Sequence, residues 1–246
     1  MDRLLYIAMN GAKNAMHAQQ TNANNLANAS TVGFKADLDY FQSMPVYGPG
    51  HASRAYANDE RAGIDFAGGA TMSTGRDLDV RINGDGWFVI QADDGTEALS
   101  RRGDFHVDQA GLLYNGAGKP VLGQGGLVTI PDHHSLVIGN DGTISVRGAG
   151  EAATALTAVD KIRLVNPAAE QLKRGEDGLF RNKENEPFQI DETISVTGGA
   201  LESSNVNTVD AMVKMMEYAR FYEMQTKMMK TANENDQASS RLMKMS

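Results

Sequence analysis

The N-terminal stretch shows a helical pattern whose apolar face consists of small residues. Within residues 3–28, Ala8, Ala12, Ala15 and Ala18 recur at intervals of three or four. Alanine has the highest helix propensity, and this spacing places the four side chains on one side of a helix. Such a face lets a second helix approach closely, but it has too little bulk to build a core alone. We therefore expect a partner helix to cover it.

The C-terminal stretch predicts one long helix that begins at about Asn207 and runs to about residue 244. Asn207 is a suitable N-cap, because its side-chain oxygen can accept hydrogen bonds from free amides of the first turn. Large apolar residues follow at heptad-like spacing, with a shift of phase after Met216: Val209, Val213, Met216, Phe221, Met224, Met228 and Leu242. A helix of about 38 residues spans roughly 57 Å, too long to pack wholly on a small β domain. The alanine face at the other end of the chain is the expected partner.

The middle of the chain, residues 77–204, alternates apolar and polar positions with the period of a strand. Leu78, Val80 and Ile82 form one such row, and Asn83-Gly-Asp-Gly86 is a typical hairpin turn. Short strands separated by Gly-centred turns favour an antiparallel sandwich or an open barrel. No strand–helix–strand alternation occurs, which argues against a parallel sheet.

Together these patterns predict an α+β protein with three parts. Residues 1–33 form a helix that pairs with a helix in residues 205–246, giving a coiled-coil-like terminal domain. Residues 34–76 contain helix breakers such as Pro45 and form an extended arm or hairpin. Residues 77–204 form an antiparallel β-rich domain inserted between the helices.

Composition narrows the possible partners. The 246 residues include 23 Lys and Arg against 31 Asp and Glu, a net charge of −8. This acidic balance, without a long basic run, argues against nucleic acid as a partner. The chain has no cysteine, so we expect no disulfide, and no apolar stretch approaches the length of a membrane span. No cleavable signal is apparent near the N-terminus, so we expect any export to proceed without one.

A few motifs could carry chemistry, and each has a simpler interpretation. His133-His134 lacks the spaced carboxylates or cysteines of a metal site and is typical of a solvated turn. The Asp-Gly pairs lack the complete calcium-loop pattern and favour hairpin turns. Gly123-Gln-Gly-Gly126 lacks the lysine of a phosphate loop. A triad of His106, Asp104 and a serine stays open, although no elbow motif surrounds it. We expect no metal, no cofactor, no small-molecule substrate and no catalysis.

Both ends carry signatures that resemble those of the bacterial flagellar axial proteins, the rod and hook family. Asn24-Asn-Leu-Ala-Asn-Ala-Ser-Thr31, followed by Gly33-Phe-Lys35, is similar to the N-terminal signature, and Ser204-Asn-Val-Asn207 is similar to the C-terminal one. In the middle, Leu78-Asp-Val-Arg-Ile-Asn-Gly-Asp-Gly-Trp-Phe88 and Arg174-Gly-Glu-Asp-Gly-Leu-Phe180 resemble the β domain that rod proteins share. The similarity covers essentially the whole chain.

The resemblance implies a structural subunit of the proximal rod in the flagellar basal body. Such a subunit would leave the cytoplasm unfolded through the flagellar type III export apparatus, without a cleaved signal peptide. In the periplasm it would join copies of itself and other rod proteins in a helical, torque-transmitting assembly. The expected helix–helix contacts of that assembly are Leu4, Ala8, Ala15, Leu26, Phe34, Val209, Val213, Met216, Phe221, Met224, Met228 and Leu242.

One position departs from the family pattern, and three other functions stay open. Val32 occupies a position where family members usually have proline, so the end of the first helix is less sharply set. The nearest alternative is a distal-rod or hook subunit. A periplasmic β-domain binding module is the second alternative, and it predicts a stable monomer. An enzyme built on the β domain is the third, and it predicts a concave site with convergent groups of shifted pKa.

Overall fold

The computed structural model describes residues 2–45, 55–148, 156–184 and 186–244. The chain forms two compact units. The first, called here the helical unit, consists of Met1–Ala29, Lys35–Asp65 and Val206–Ser246. The second, the β unit, consists of Ser30–Phe34 and Phe66–Asn205. The polypeptide therefore passes from one unit to the other after residues 29, 34, 65 and 205.

Two long helices occupy the ends of the chain, as the sequence predicts. Helix α1 is Asp2–Ala27 and helix α2 is Thr208–Lys244, with 26 and 37 residues, or about 39 Å and about 56 Å. The predicted cap of α2 is confirmed, because Asn207 Oδ1 accepts hydrogen bonds from the amides of Val209 at 3.0 Å and Asp210 at 3.2 Å.

A long β-hairpin completes the helical unit. Strand β1 is Asp37–Pro45 and strand β2 is Ala55–Ile64, and they pair antiparallel with a register shift between Leu38 and Asp39. A two-stranded hairpin alone is marginally stable in water, and this one packs against α1. The hairpin lies within residues 34–76, the stretch predicted to form an extended arm. The domain bounds derived from the sequence remain a prediction.

The β unit is built from short strands. In chain order they are β3 (Thr71–Ser73), β4 (Val80–Asn83), β5 (Trp87–Gln91), β6 (Glu97–Ser100), β7 (Phe105–Val107), β8 (Leu113–Asn115), β9 (Leu122–Gly123), β10 (Gly126–Leu127), β11 (Ser135–Ile138), β12 (Thr143–Arg147), β13 (Thr157–Lys161), β14 (Leu164–Val165), β15 (Leu172–Arg174), β16 (Phe180–Asn182), β17 (Ser195–Gly198) and β18 (Ala200–Glu202). A short 3₁₀ helix, Ala169–Gln171, precedes β15.

Paired strands within the described residues run antiparallel. The largest sheet has the order β14–β5–β6–β16–β15, and a second has the order β11–β12–β13. Strand β4 pairs with β17 and β3 pairs with β18, so both ends of the unit are joined by contacts between residues far apart in sequence. The α+β class with an antiparallel middle is thus confirmed.

The core of the β unit lies on both faces of β5. Phe88 and Ile90 face a large apolar cluster, in which the Phe88 and Phe105 rings meet edge to face at 5.1 Å. On the other face, the Trp87 ring lies 4.6 Å from that of Phe180. Trp87 is buried and forms part of this second apolar contact.

Candidate assembly surface

The alanine face of α1 packs against α2 inside the helical unit. Gly11 and Asn22 share the three-or-four spacing of the buried alanines, and both meet α2. A Cβ at Gly11 would lie 2.8 Å from the Gln225 side chain. Asn22 Nδ2 donates a 2.7 Å hydrogen bond to the main-chain oxygen of Ala211. Gly11 thus meets Gln225, and Asn22, which lies later in α1, meets Ala211, which lies earlier in α2. The two helices are therefore antiparallel.

The buried residues of α2, like those of α1, are small. Ala211 and Ala232 are the buried residues of this helix, with Tyr218 half-buried between them. Burial raises the pKa of the Tyr218 hydroxyl above its ordinary value, an effect that nearby Lys214 opposes. Alanines on both helices allow the close main-chain approach that the short Asn22 hydrogen bond requires.

The predicted apolar row of α2 is not among the buried residues of this helix. We call this set the outer row; its members are Val209, Val213, Met216, Phe221, Met224, Met228 and Leu242. They are exposed, by fractions from 39% at Met228 to 72% at Leu242. Within one chain the buried residues of α2 are the small Ala211 and Ala232. The assignment of the large apolar residues to helix–helix contacts therefore stays a prediction for the assembly.

The predicted contacts nearer the N-terminus divide into three groups. Ala8 and Ala15 are buried, with 0% and 1% exposure, so the fold of the chain already uses them. Leu4 is exposed and Leu26 is half-buried. Phe34 is half-buried in the β unit. The outer row and Leu4 are thus the predicted contacts that the chain itself leaves accessible.

The Asn-rich signature serves contacts within the helical unit. Asn25 pairs with both main-chain groups of Asp37: Nδ2 donates to the oxygen at 2.8 Å, and Oδ1 accepts from the amide at 2.9 Å. This pairing fixes the start of β1 to α1, as Asn22 fixes the start of α2. Asn28 Nδ2 bonds locally to the Asn24 oxygen at 3.0 Å. Sequence reasoning assigned this segment to assembly and missed these side-chain pairings, whose partners lie far along the chain.

A buried ion pair lies where the two signatures reach the β unit. Arg101 Nε is 3.3 Å from Glu202 Oε2, and both side chains are almost fully buried. The guanidinium also donates to the main-chain oxygens of Gly86 at 2.8 Å and Gly84 at 2.6 Å. Burial lowers the pKa of Arg101 from its ordinary value, and the Glu202 carboxylate opposes this shift. Sequence reasoning did not find this pair, because charged residues are usually exposed.

An aromatic–arginine stack stands beside the ion pair. The Arg174 guanidinium carbon lies 4.9 Å from the ring centres of both Phe34 and Phe180. Arg101 lies 5.8 Å from the Trp87 ring. Such contacts of a cation with an aromatic face are attractive, the more so when desolvated. They hold the segment containing Phe34 on the β unit.

The histidine pair and the Asp-Gly motifs considered for chemistry lie in turns and loops. His133 Nδ1 contacts the Pro131 oxygen at 3.0 Å. Asp94 and Asp141 each close an Asp-Gly-Thr turn, in which the threonine hydroxyl donates to the carboxylate at 2.6 Å. Across the described residues, no group of three acidic or histidine side chains is placed to hold a metal ion. None of the described helices combines the length and apolarity that a bilayer crossing requires.

Three family models match separate parts of the chain, near its start, in its middle and near its end. Residues 5–35 match the model described as flagella basal body rod protein. Residues 81–146 match that of the flagellar hook protein FlgE/F/G D1 domain, and residues 197–242 match the flagellar basal body rod FlgEFG protein C-terminal model. The first match includes most of α1 and the last includes most of α2, whereas the middle match lies in the β unit.

Curated relatives agree with the family models. The flagellar basal-body rod protein FlgF of Salmonella typhimurium and that of Escherichia coli are each 37% identical to the chain, with full coverage of both proteins. The flagellar basal-body rod protein FlgG of Bacillus subtilis is 32% identical over 95% of this chain and 96% of its own length.

Long terminal helices with exposed apolar side chains, combined with a β unit that has its own core, are typical of a structural subunit. The family models and the relatives identify the class of subunit more specifically than the fold does. The chain belongs to the flagellar basal-body rod protein family, with FlgF-like proteins among its relatives. It is a structural rod subunit of the flagellar basal body.

Proposed function

We propose that this chain polymerises as a proximal-rod subunit, with the outer row of α2 and Leu4 as its main helix–helix contacts. The observation that carries the proposal is the outer row itself: large apolar side chains that the chain leaves exposed along α2. Exposed apolar patches of this kind mark interaction sites. The partners are copies of this chain and other rod proteins.

Burial of the outer row supplies a driving force for polymerisation. Covering a Met, Phe or Leu side chain contributes about 1.5–3 kcal/mol, so several such residues offset the entropy lost on association. A contact between different faces of neighbouring copies does not close on itself and generates a helical filament. Within the polymer, α1 and α2 pack in a coiled-coil-like manner, for which the three-or-four spacing of the outer row is suited.

The proposal extends to the route and place of assembly. The subunit crosses the inner membrane unfolded through the flagellar export apparatus, without a cleaved signal, and assembles in the periplasm as part of the torque-transmitting shaft. The helical unit suits this route, because the buried apolar residues among its described side chains are alanines, which contribute little burial before a partner arrives. The chain has no catalytic role in this account.

A position elsewhere in the rod is the second candidate. The FlgG relative matches almost as much of the chain as the FlgF relatives do, at 32% against 37% identity. The two candidates differ in where the subunit lies along the rod, and labelled chain in intact basal bodies distinguishes them by image position.

The test is complementation of a bacterium whose own copy of this protein has been deleted. We expect the wild-type chain to restore motility and to copurify with basal bodies, whereas Met216→Asp and Met224→Asp, which place a charge in the outer row, abolish both. Gln237→Asp is the matched control, since it adds a carboxylate at an exposed polar position of the same helix. Normal swimming by the Met216→Asp and Met224→Asp strains contradicts the proposal.

A further inference from the structure

Glu202 ties three segments of the β unit together close to where the chain leaves that unit. Its main-chain oxygen accepts a 2.8 Å hydrogen bond from the amide of Gly33. Its side-chain Oε1 accepts a 3.0 Å hydrogen bond from the amide of Gly69. The chain leaves or enters the β unit after residues 34, 65 and 205, so each tied residue lies within four residues of such a crossing.

Arg101 connects Glu202 to the strands of the core. Its guanidinium pairs with Glu202 Oε2 and holds the turn between β4 and β5 through Gly84 and Gly86. Both charged side chains are at least nine-tenths buried. A buried charge that loses its partner is strongly destabilising, because it remains desolvated without compensation. The pair therefore resists separation more than an exposed ion pair does.

The tied segments approach one another too closely for side chains to lie between them. Gly33 has φ +67°, and a Cβ there would lie 2.5 Å from the main-chain carbonyl of Arg101. A Cβ at Gly69 would lie 1.9 Å from the Ser203 oxygen. Only glycine satisfies either position. Backbone hydrogen bonds also join these segments. In one of them the Ser203 amide donates to the Ala70 oxygen at 2.8 Å.

We propose that Glu202 and Arg101 form a clasp that makes the segments at Gly33, Gly69 and Glu202 open and close as one. Force that enters the β unit along any one of these segments is then shared by all three and by the core strands. The clasp is a positioning device for a subunit that transmits torque, and in this respect the inference rests on the proposed function.

Amide hydrogen exchange of the full-length chain tests the clasp directly. Glu202→Gln keeps the size of the side chain and its acceptor oxygen but removes the charge that holds Arg101. The clasp predicts that exchange at Gly33 and Gly69 accelerates together, by roughly tenfold or more. A merely local role predicts a different result. Of the two glycine amides, that of Gly69 bonds to the Glu202 side chain and that of Gly33 to its main-chain oxygen. Acceleration at Gly69 alone would therefore overturn the proposal.

The matched control is Glu97→Gln. Glu97 pairs with Arg163 at 2.6 Å inside the same unit, away from the crossings. The same substitution there should leave exchange at Gly33 and Gly69 unchanged. If Glu202→Gln fails to fold, Glu202→Asp takes its place, because it retracts the carboxylate by one methylene and keeps the charge. The same criterion then applies: exchange at Gly33 and Gly69 should accelerate together.

Motility under load separates failure of the clasp from failure of the proposed function. In the deletion strain, we expect Glu202→Gln chains to assemble but to lose swimming speed more steeply than Glu97→Gln chains as viscosity is raised. If the wild-type chain does not restore motility, the proposed function fails. If it does, but the two variants behave alike in swimming and in exchange, the clasp alone is overturned.

Discussion

The β unit and the helical unit bury different kinds of side chain. In the β unit, Phe88, Ile90 and Phe105 are fully buried. Among the described side chains of the helical unit, the buried apolar residues are alanines, such as Ala15 and Ala211. Burial free energy grows with the apolar area removed from water. The β unit therefore has a core of large apolar side chains, whereas the described large apolar side chains of the helical unit are exposed or half-buried.

The largest expected effect comes from opening the β core. Phe105→Ala removes a fully buried ring and should lower the free energy of unfolding by about 3–5 kcal/mol. Trp87 is the sole tryptophan of the chain and lies in the β unit, so its fluorescence reports this unit in a denaturant titration. Val137→Ala, at an exposed position of the same unit, is the control with little expected change. An unaltered fluorescence midpoint for Phe105→Ala would contradict the assignment of Phe105 to the core of the β unit.

A smaller effect is expected when the alanine face of α1 is enlarged. Ala15→Leu forces bulk between closely packed helices and should cost about 1–3 kcal/mol. The helical circular dichroism signal should melt earlier, while the Trp87 transition stays in place. Ala23→Leu adds the same bulk on an exposed part of α1 and should leave both signals unchanged. An equal loss of helical stability in Ala15→Leu and Ala23→Leu would contradict the assignment of Ala15 to the face of α1 that packs against α2.

How much of this organisation the sequence reveals depends on the range of the interactions involved. The two terminal helices, the Asn207 cap and the alanine face follow from local patterns, and the structure confirms them. Which residues of α2 are buried does not follow, because α2 carries both small and large apolar residues and only packing decides between them. The Arg101–Glu202 pair joins residues far apart in sequence, and each looks like an ordinary surface charge when considered alone.

The smallest expected effect concerns acid stability, and it belongs to the β unit. Hydrogen bonds from threonine lower the pKa of Asp94, Asp141 and Asp191 below the ordinary 3.8. A carboxyl whose pKa is depressed by folding stabilises the protein above its unfolded pKa, and this contribution is lost as the pH falls through the folded pKa.

Replacing all three aspartates with asparagine keeps the acceptor oxygen of each turn but removes the titration. The stability of the variant, followed by Trp87 fluorescence, should therefore fall less than that of the wild type as the pH drops below 3.8. Identical acid profiles would show that these turns contribute nothing to the pH dependence.

The most direct test of the central claim is whether the outer row becomes covered on assembly. Because the chain has no cysteine, Met224→Cys introduces a single thiol whose alkylation can be followed in the free subunit and in isolated basal bodies. Glu176→Cys, at an exposed turn of the β unit, provides the reference. The account predicts that assembly slows alkylation at position 224 by roughly tenfold or more relative to the reference. Equal alkylation rates at position 224 in the free and assembled protein would contradict it.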